Sequence, residues 1–296
     1  MKNRKLLLIL CLIVVFILVF TGCAKDKTPG GEQSDFDAEK DITVVARDAA
    51  SGTRGAFHEI MGIIKKQGDK EIDNLVVGAL EFDGTDKVIT AVEGDKYGIG
   101  YISLGSVSDR TKAVAVDGIE PSIENVKSGK YTVSRPFLLV TKGEENDLVK
   151  DFLNFAESAQ GQEIATGMKY IGAAEQQEKY TASGKSGTIK VAGSTSVTPL
   201  MEKLQEEYKE LNPEVTFEMQ SNGSSQGIKA AIDGSYDIGM SSRELKTEEA
   251  GELNRYVLAI DGIAVILNKN NPIDNLASQD ITNIYTGEIA QWKDVK

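Results

Sequence analysis

Residues 42–57 read ITVVARDAASGTRGAF, and this stretch sets the fold class. Ile42 to Ala46 is a short apolar, β-branched run that predicts a strand. A Ser/Gly/Thr loop follows. The next residues, GAFHEIMGIIKKQ, place Phe57, Ile60, Met61, Ile63 and Ile64 at helical spacing, which predicts a helix running on to Gln67. The same order returns where TIKVAG (188–193) leads through STS into a helical pattern over 198–210. Further strands are predicted at 97–104, 135–141, 215–220, 236–241 and 256–268, and helices near 85–94, 146–158, 225–233 and 278–285. Alternation of this kind predicts an α/β protein with largely parallel sheets. Residues 173–187, AAEQQEKYTASGKSG, break the alternation with a polar, Gly/Ser-containing stretch that reads as an exposed linker.

The loops carry the chemistry. The first backbone N–H groups of a helix have no partner within it, and the helix dipole adds partial positive charge there, so a helix start attracts anions without any formal charge. Ser and Thr add hydroxyl donors, and Gly lets a ligand approach the backbone. Three such starts occur: Ser51-Gly52-Thr53, Ser194-Thr195-Ser196 and Gly223-Ser224-Ser225. Two arginines stand at predicted strand ends nearby, Arg47 after ITVVA and Arg243 after DIGMSS. Arginine's rigid fork of donors matches a tetrahedral oxyanion. Any one of these starts is explained by ordinary helix capping. Three together, each with Gly and two with an Arg nearby, point to an oxyanion site.

The chain around these loops is acidic, with a formal charge of −12. Lys2, Arg4 and Lys5 precede an apolar run from Leu6 to Phe20, and Thr21-Gly22-Cys23 follows, so residues 1–22 read as a secretory signal. The small residue before Cys23 resembles a lipobox, in which that cysteine is acylated and becomes the mature N-terminus. Removal of 1–22 takes away three positive charges and no negative ones, moving −12 to −15. Such a surface repels nucleic acid and anionic lipid, so no nucleic-acid partner is expected. Of the two cysteines, Cys11 leaves with the signal, which excludes an intramolecular disulfide in the mature chain. Residues 23–41 are rich in charge, Gly and Pro and read as a lipid-anchored tether.

Enzyme readings find little support. Gly223-Ser224-Ser225-Gln226-Gly227 fits a hydrolase nucleophile pattern, but such a serine needs a histidine base. His58 is the only histidine, and it falls on the helical run after Phe57. No His/Cys cluster suits a transition metal and no G-x-x-x-x-G-K-[ST] loop is present, so neither catalysis nor a cofactor is expected.

The stretch from IKVAGSTSVTPLM to YDIGMSSREL (189–245), followed by LAIDGIAVILNKNNPIDNL and IYTGEIAQWKDV, resembles the first half of the phosphate-binding lipoproteins of Pst-type ABC importers. Residues 42–172, from ITVVARDAASGTRGAF through IGYISLGSV, RPFLLVTKGE and KYIG, resemble the second half of the same family. The order is therefore reversed, as in a circular permutation whose old termini are joined through 173–187. The resemblance implies a two-lobe periplasmic-binding-protein-like fold (type II), with mixed, mainly parallel sheets flanked by helices and a ligand cleft between the lobes. Its crossing strands would fall near Thr132–Pro136 and Asp261–Ile263. One lobe would then be continuous, 134–262, and the other would combine 42–133 with 263–296.

The resemblance also carries site residues: Thr195 and Ser196 in one loop, Ser224 in the second, Ser242 and Arg243 in the third, and Arg47, Ser51, Gly52 and Thr53 in the fourth. Two departures stand out. Ser242 occupies a place where some members carry a proton-accepting Asp, and Asp48 directly follows Arg47 where related sequences often carry the acid one residue later. The implied protein is an extracytoplasmic, membrane-anchored monomer that passes inorganic phosphate to ABC permease subunits. The alternatives are another oxyanion (sulfate, molybdate, tungstate) or a surface adhesion or signalling protein on the same fold.

Overall fold

A computed structural model describes residues 36–67, 70–173 and 178–296. The signal, Cys23 and most of the tether lie outside these residues. Among them, a mixed sheet follows the path β6-β5-β7-β4-β8-β3-β1-β2, where β1 is Thr43–Arg47, β2 Leu80–Phe82, β3 Gly98–Ser103, β4 Ser134–Thr141, β5 Gly187–Gly193, β6 Val215–Ser221, β7 Ile238–Ser241 and β8 Asn254–Leu267. Both ends of the path are parallel: β6 and β7 flank β5, and β3 and β2 flank β1. The middle is antiparallel, through β4 and β8. Helices of nine or more residues are α1 (Gly52–Ile60), α2 (Thr85–Gly94), α3 (Asp147–Glu157), α4 (Ala159–Gly167), α5 (Thr198–Leu211), α6 (Ser224–Asp233) and α7 (Ser278–Thr286).

The long strand β8 explains how the two parallel ends share one sheet. It pairs with β4 from Asn254 to Gly262, then with β3 from Ile263 to Leu267. The change of partner falls where the resemblance places a crossing, and the other crossing lies directly opposite, with Arg135 in register with Asp261 and Ser134 with Gly262. Buried apolar side chains group on either side of this switch. One cluster is built from residues 44–133 and 263–292, among them Phe57, Tyr101, Tyr131, Ile263 and Tyr285. The other is built from residues 137–259, among them Phe137, Phe152, Leu204 and Tyr208.

Two expectations need correction. The helix after the first strand stops at Ile60, because Gly62 adopts φ +65, and Ile64 to Gln67 turn into one strand of a small hairpin with Lys70–Asp73. Such a φ is open to Gly at little cost, so Gly62 ends the helix despite the apolar spacing beyond it. The tether reading also reaches too far. Phe36 packs against Tyr97 and Trp292 with centroids 5.2 and 6.2 Å away, and Lys293 N–H donates to the Ala38 carbonyl at 2.8 Å. Residues 178–186 hold no regular structure and are largely exposed, as a linker should be, yet they are fastened: the Tyr180 hydroxyl and Ser183 Oγ donate to Asp151 at 2.6 and 2.7 Å.

Candidate functional site

The loops after β1, β5 and β7, together with the start of α6, meet in one buried place. Ser51 caps α1 with extended backbone, and its Oγ accepts from Arg54 N–H. Gly52 follows and touches the opposite wall: a Cβ there would lie 2.3 Å from Ser224 Oγ and 2.8 Å from Ser242 Oγ. Thr53 Oγ1 and Ser196 Oγ are 2.9 Å apart, and Ser225 N–H donates to the Ala50 carbonyl at 3.1 Å. Ser194 Oγ donates to Ser242 Oγ at 2.8 Å, and Ser224 Oγ accepts from Ser242 N–H at 3.0 Å. Thr195 Oγ1 is buried and makes no hydrogen bond among the described residues. Thr53, Ser194, Ser196, Ser224 and Ser242 are each buried. Hydroxyls can turn their protons toward whatever acceptor is offered, so this cluster is a neutral donor surface contributed by both sides of the strand switch.

The second helix start differs in detail from its sequence reading. α5 begins at Thr198 with Val197 in the cap position, so Ser194-Thr195-Ser196 form the turn before it, held by Val197 and Thr198 N–H donating to the Ser194 carbonyl. At the third, Gly223 has φ 99 and lies against Ala50, which brings α6 end-on to the loop after β1.

Arg47 ends β1 and is 2% exposed. Its Nε donates to the Phe82 carbonyl at 3.0 Å and its Nη2 to the Asp83 carbonyl at 3.1 Å. Burial pushes its pKa down, opposed by Asp48 and Tyr101, while Arg135 pushes it further down. Asp48 does not bond it: Asp48 Oδ1 is buried without a hydrogen-bond partner among the described residues. Arg243 stays out of the cluster. It forks onto Glu249 with Nη1–Oε2 2.7 Å and Nη2–Oε1 2.8 Å, at the edge of an outer groove of about 890 Å³ that Arg54, Asp73 and Lys246 also line. Ser51 and Ser225 reach this groove, but Ser194, Ser224 and Ser242 do not.

Sequence reasoning missed the ion pair at the switch. Arg135 Nη2 and Nε donate to Asp261 Oδ2 at 3.0 and 3.2 Å, Ser103 Oγ donates to Asp261 Oδ1 at 2.9 Å, and Arg135 Nη1 donates to the Ser242 carbonyl at 3.3 Å. Burial pushes the guanidinium down and the carboxyl up, each opposed by the partner's charge. The signal was present: SRPFLLV and LAIDGIAVIL each bury one charge in an apolar strand, and isolated buried charges require partners.

Comparison with known proteins places this architecture. The PBP superfamily domain matches residues 27–160 and 178–296. The chain is 42% identical to Phosphate-binding protein PstS 2 of Streptococcus pneumoniae over 297 residues, covering all of both chains. It is 35% identical to Phosphate-binding protein PstS of Staphylococcus saprophyticus over 122 residues, which is 38% of each chain. Among solved structures it is similar to a phosphate ABC transporter, phosphate-binding protein from Streptococcus pneumoniae, with TM-score 0.72 and 44% identity over 86% of this chain and 100% of that one.

Proposed function

This chain belongs to the PBP superfamily and, within it, to the phosphate-binding proteins, and we propose that it captures inorganic phosphate outside the cytoplasm and delivers it to an ABC importer. The observation that carries the reading is the buried Arg47, which ends the strand whose following loop brings Gly52 and Thr53 to the hydroxyl cluster. A buried guanidinium bonded only to backbone carbonyls keeps its full positive charge, and burying such a charge is costly unless an anion joins it. In this reading Nε and Nη2 are committed to Phe82 and Asp83, which fixes the plane of the group and leaves Nη1 to the ligand. Thr53, Thr195, Ser196, Ser224 and Ser242 supply hydroxyls, and Ser51 and Gly52 supply the helix start. Binding is noncovalent, and Ser242 can accept a proton from a partly protonated phosphate as well as donate.

The two core clusters support a division into a continuous lobe, 134–262, and a second lobe made of 42–133 with 263–296. Closure of one over the other is the motion expected of such a cleft. Circular permutation is the reading of the reversed order. It is supported by the meeting of 38–42 with 290–293, where Ile42 N–H donates to the Ala290 carbonyl at 2.8 Å and Asp41 bridges Gln291. It is also supported by an end-to-end match to one relative and a match over only 38% of another. Acylation of Cys23 would hold the protein, as a monomer, on the extracytoplasmic face of the cell membrane.

Calorimetric titration of the full-length chain in detergent against phosphate, sulfate and molybdate tests the function. Phosphate should bind tightest, one per chain. A higher affinity for sulfate or molybdate replaces the ligand, and no binding of any of the three returns the fold to adhesion or signalling.

A further inference from the structure

We propose that Asp73, His58 and Tyr101 are positioning residues for the anion-binding arginine, so that the hairpin Ile64–Asp73 sets the pose of Arg47. The inference rests on the phosphate-binding reading of the site.

It starts from an unfinished ladder. β1 pairs with β2 as far as Arg47 opposite Phe82, but its pairing with β3 ends at Val44 opposite Ile99. Asp48 N–H donates to the Phe82 carbonyl, so in the alternating pleat the peptide groups of Arg47 face the other side, beyond the last β3 partner. Side chains take the place of the missing strand. Arg47 N–H donates to Tyr101 Oη at 3.2 Å, and the Arg47 carbonyl accepts from Arg54 Nη1 at 2.9 Å.

Both of these side chains close on one carboxylate. Tyr101 Oη lies 3.2 Å from His58 Nε2, His58 Nδ1 lies 2.9 Å from Asp73 Oδ1, and Arg54 Nε donates to Asp73 Oδ2 at 2.8 Å. An ionised Asp73 can only accept, so His58 carries its proton on Nδ1. Neutral His58 then accepts at Nε2 from the Tyr101 hydroxyl, whose oxygen is left to accept from Arg47 N–H. This assignment gives each of the contacts Arg47–Tyr101, Tyr101–His58 and His58–Asp73 one donor and one acceptor.

The surroundings favour those protonation states. Burial lowers the His58 pKa, against the opposing pull of Asp73, and the charges facing it are Asp73 from the hairpin, Arg54 from its own helix and Glu81 from β2, with the Tyr101 and Tyr285 rings beside it. Burial opposes ionisation of Asp73, but hydrogen bonds from His58 and Arg54 and the charge of Arg54 outweigh it and hold the carboxyl well below its usual range. A protonated His58 would turn Nε2 into a donor and reverse the bond to Tyr101, leaving the Tyr101 hydroxyl proton without its acceptor.

The chain contains a single histidine, so its imidazole nitrogens can be followed without ambiguity by NMR. In the full-length protein, His58 should show the Nδ1–H tautomer, and its resonances should move when inorganic phosphate is added. Tyr101→Phe removes one oxygen and keeps the ring. It should weaken phosphate binding about five- to tenfold, lower the melting temperature by roughly a few degrees, and abolish the His58 response. His58→Phe should lose a similar factor, and His58→Gln, which restores an acceptor, should recover part of it. Asp73→Asn should lower affinity by a comparable factor and serves as the second route where Tyr101→Phe fails to fold. Wild type that binds phosphate, with variants that match it or a His58 signal indifferent to phosphate, overturns the positioning chain alone. Wild type that binds no phosphate overturns the functional reading and the chain with it.

Discussion

The loop after β1 and the loop after β7 look alike in sequence, since each sets an arginine at or just past a strand end with serine nearby. In the folded protein they diverge. Arg47 is buried and bonded to carbonyls, whereas Arg243 is partly exposed and held by both oxygens of Glu249. A guanidinium bonded to carbonyls retains net charge for an incoming anion. One already neutralised by a carboxylate would have to give up that partner first. The pairing partner, not the strand-end position, decides which arginine can serve a ligand.

The largest effect on binding should come from Arg47→Ala. Charge-assisted hydrogen bonds contribute roughly 1.5–3 kcal/mol each, so phosphate affinity measured by calorimetry should fall about a hundredfold or more. A loss under threefold would remove Arg47 from the site. Gly52→Ala comes next. Its Cβ would sit 2.3 Å from Ser224 Oγ, and the contact is relieved only by moving α1 away from α6. Affinity should drop on the order of tenfold, with an increased radius of gyration in X-ray scattering with phosphate present. Unchanged affinity and radius would mean that the two walls do not close to this contact when phosphate binds.

How much of this could be read beforehand follows from which signals are local. The strand, loop and helix around Arg47 are legible because β-branched runs, Ser/Thr caps and apolar spacing act within a few residues. The family's site positions fall on the same loops, and the structure brings Thr53, Ser196, Ser224 and Ser242 within reach of one another. What escaped depends on register between distant segments. Arg135 meets Asp261 only because β4 and β8 pair antiparallel, and neither strand announces its partner. The Arg243–Glu249 fork spans six residues through a turn whose course the sequence does not reveal. The helix expected to run to Gln67 hid the hairpin, and with it Asp73, behind a charged stretch that looks like ordinary helix surface.

The smallest effect on binding should come from Arg243 itself, whose pairing with Glu249 acts on stability instead. Arg243→Ala should leave phosphate affinity within about threefold, since the groove it lines lies outside the hydroxyl cluster. Its partner supplies the second measurement. Burial raises the Glu249 pKa, but hydrogen bonds from Arg243 and Lys246 N–H and their charges outweigh it and hold the carboxyl below its ordinary value. A carboxyl with a depressed folded-state pKa contributes stability that is present above the unfolded value, about 4.3, and is lost as pH falls through the folded value. Glu249→Gln should therefore melt lower than wild type at pH 7, by about 2–4 °C for a loss on the order of 1 kcal/mol. The gap should close as the pH is taken below 4, while phosphate affinity at pH 7 stays within the same threefold. A large affinity loss in either variant, with the melting temperature unmoved, would show that Arg243 leaves Glu249 to meet the ligand, and the two arginines would then be partners in one site.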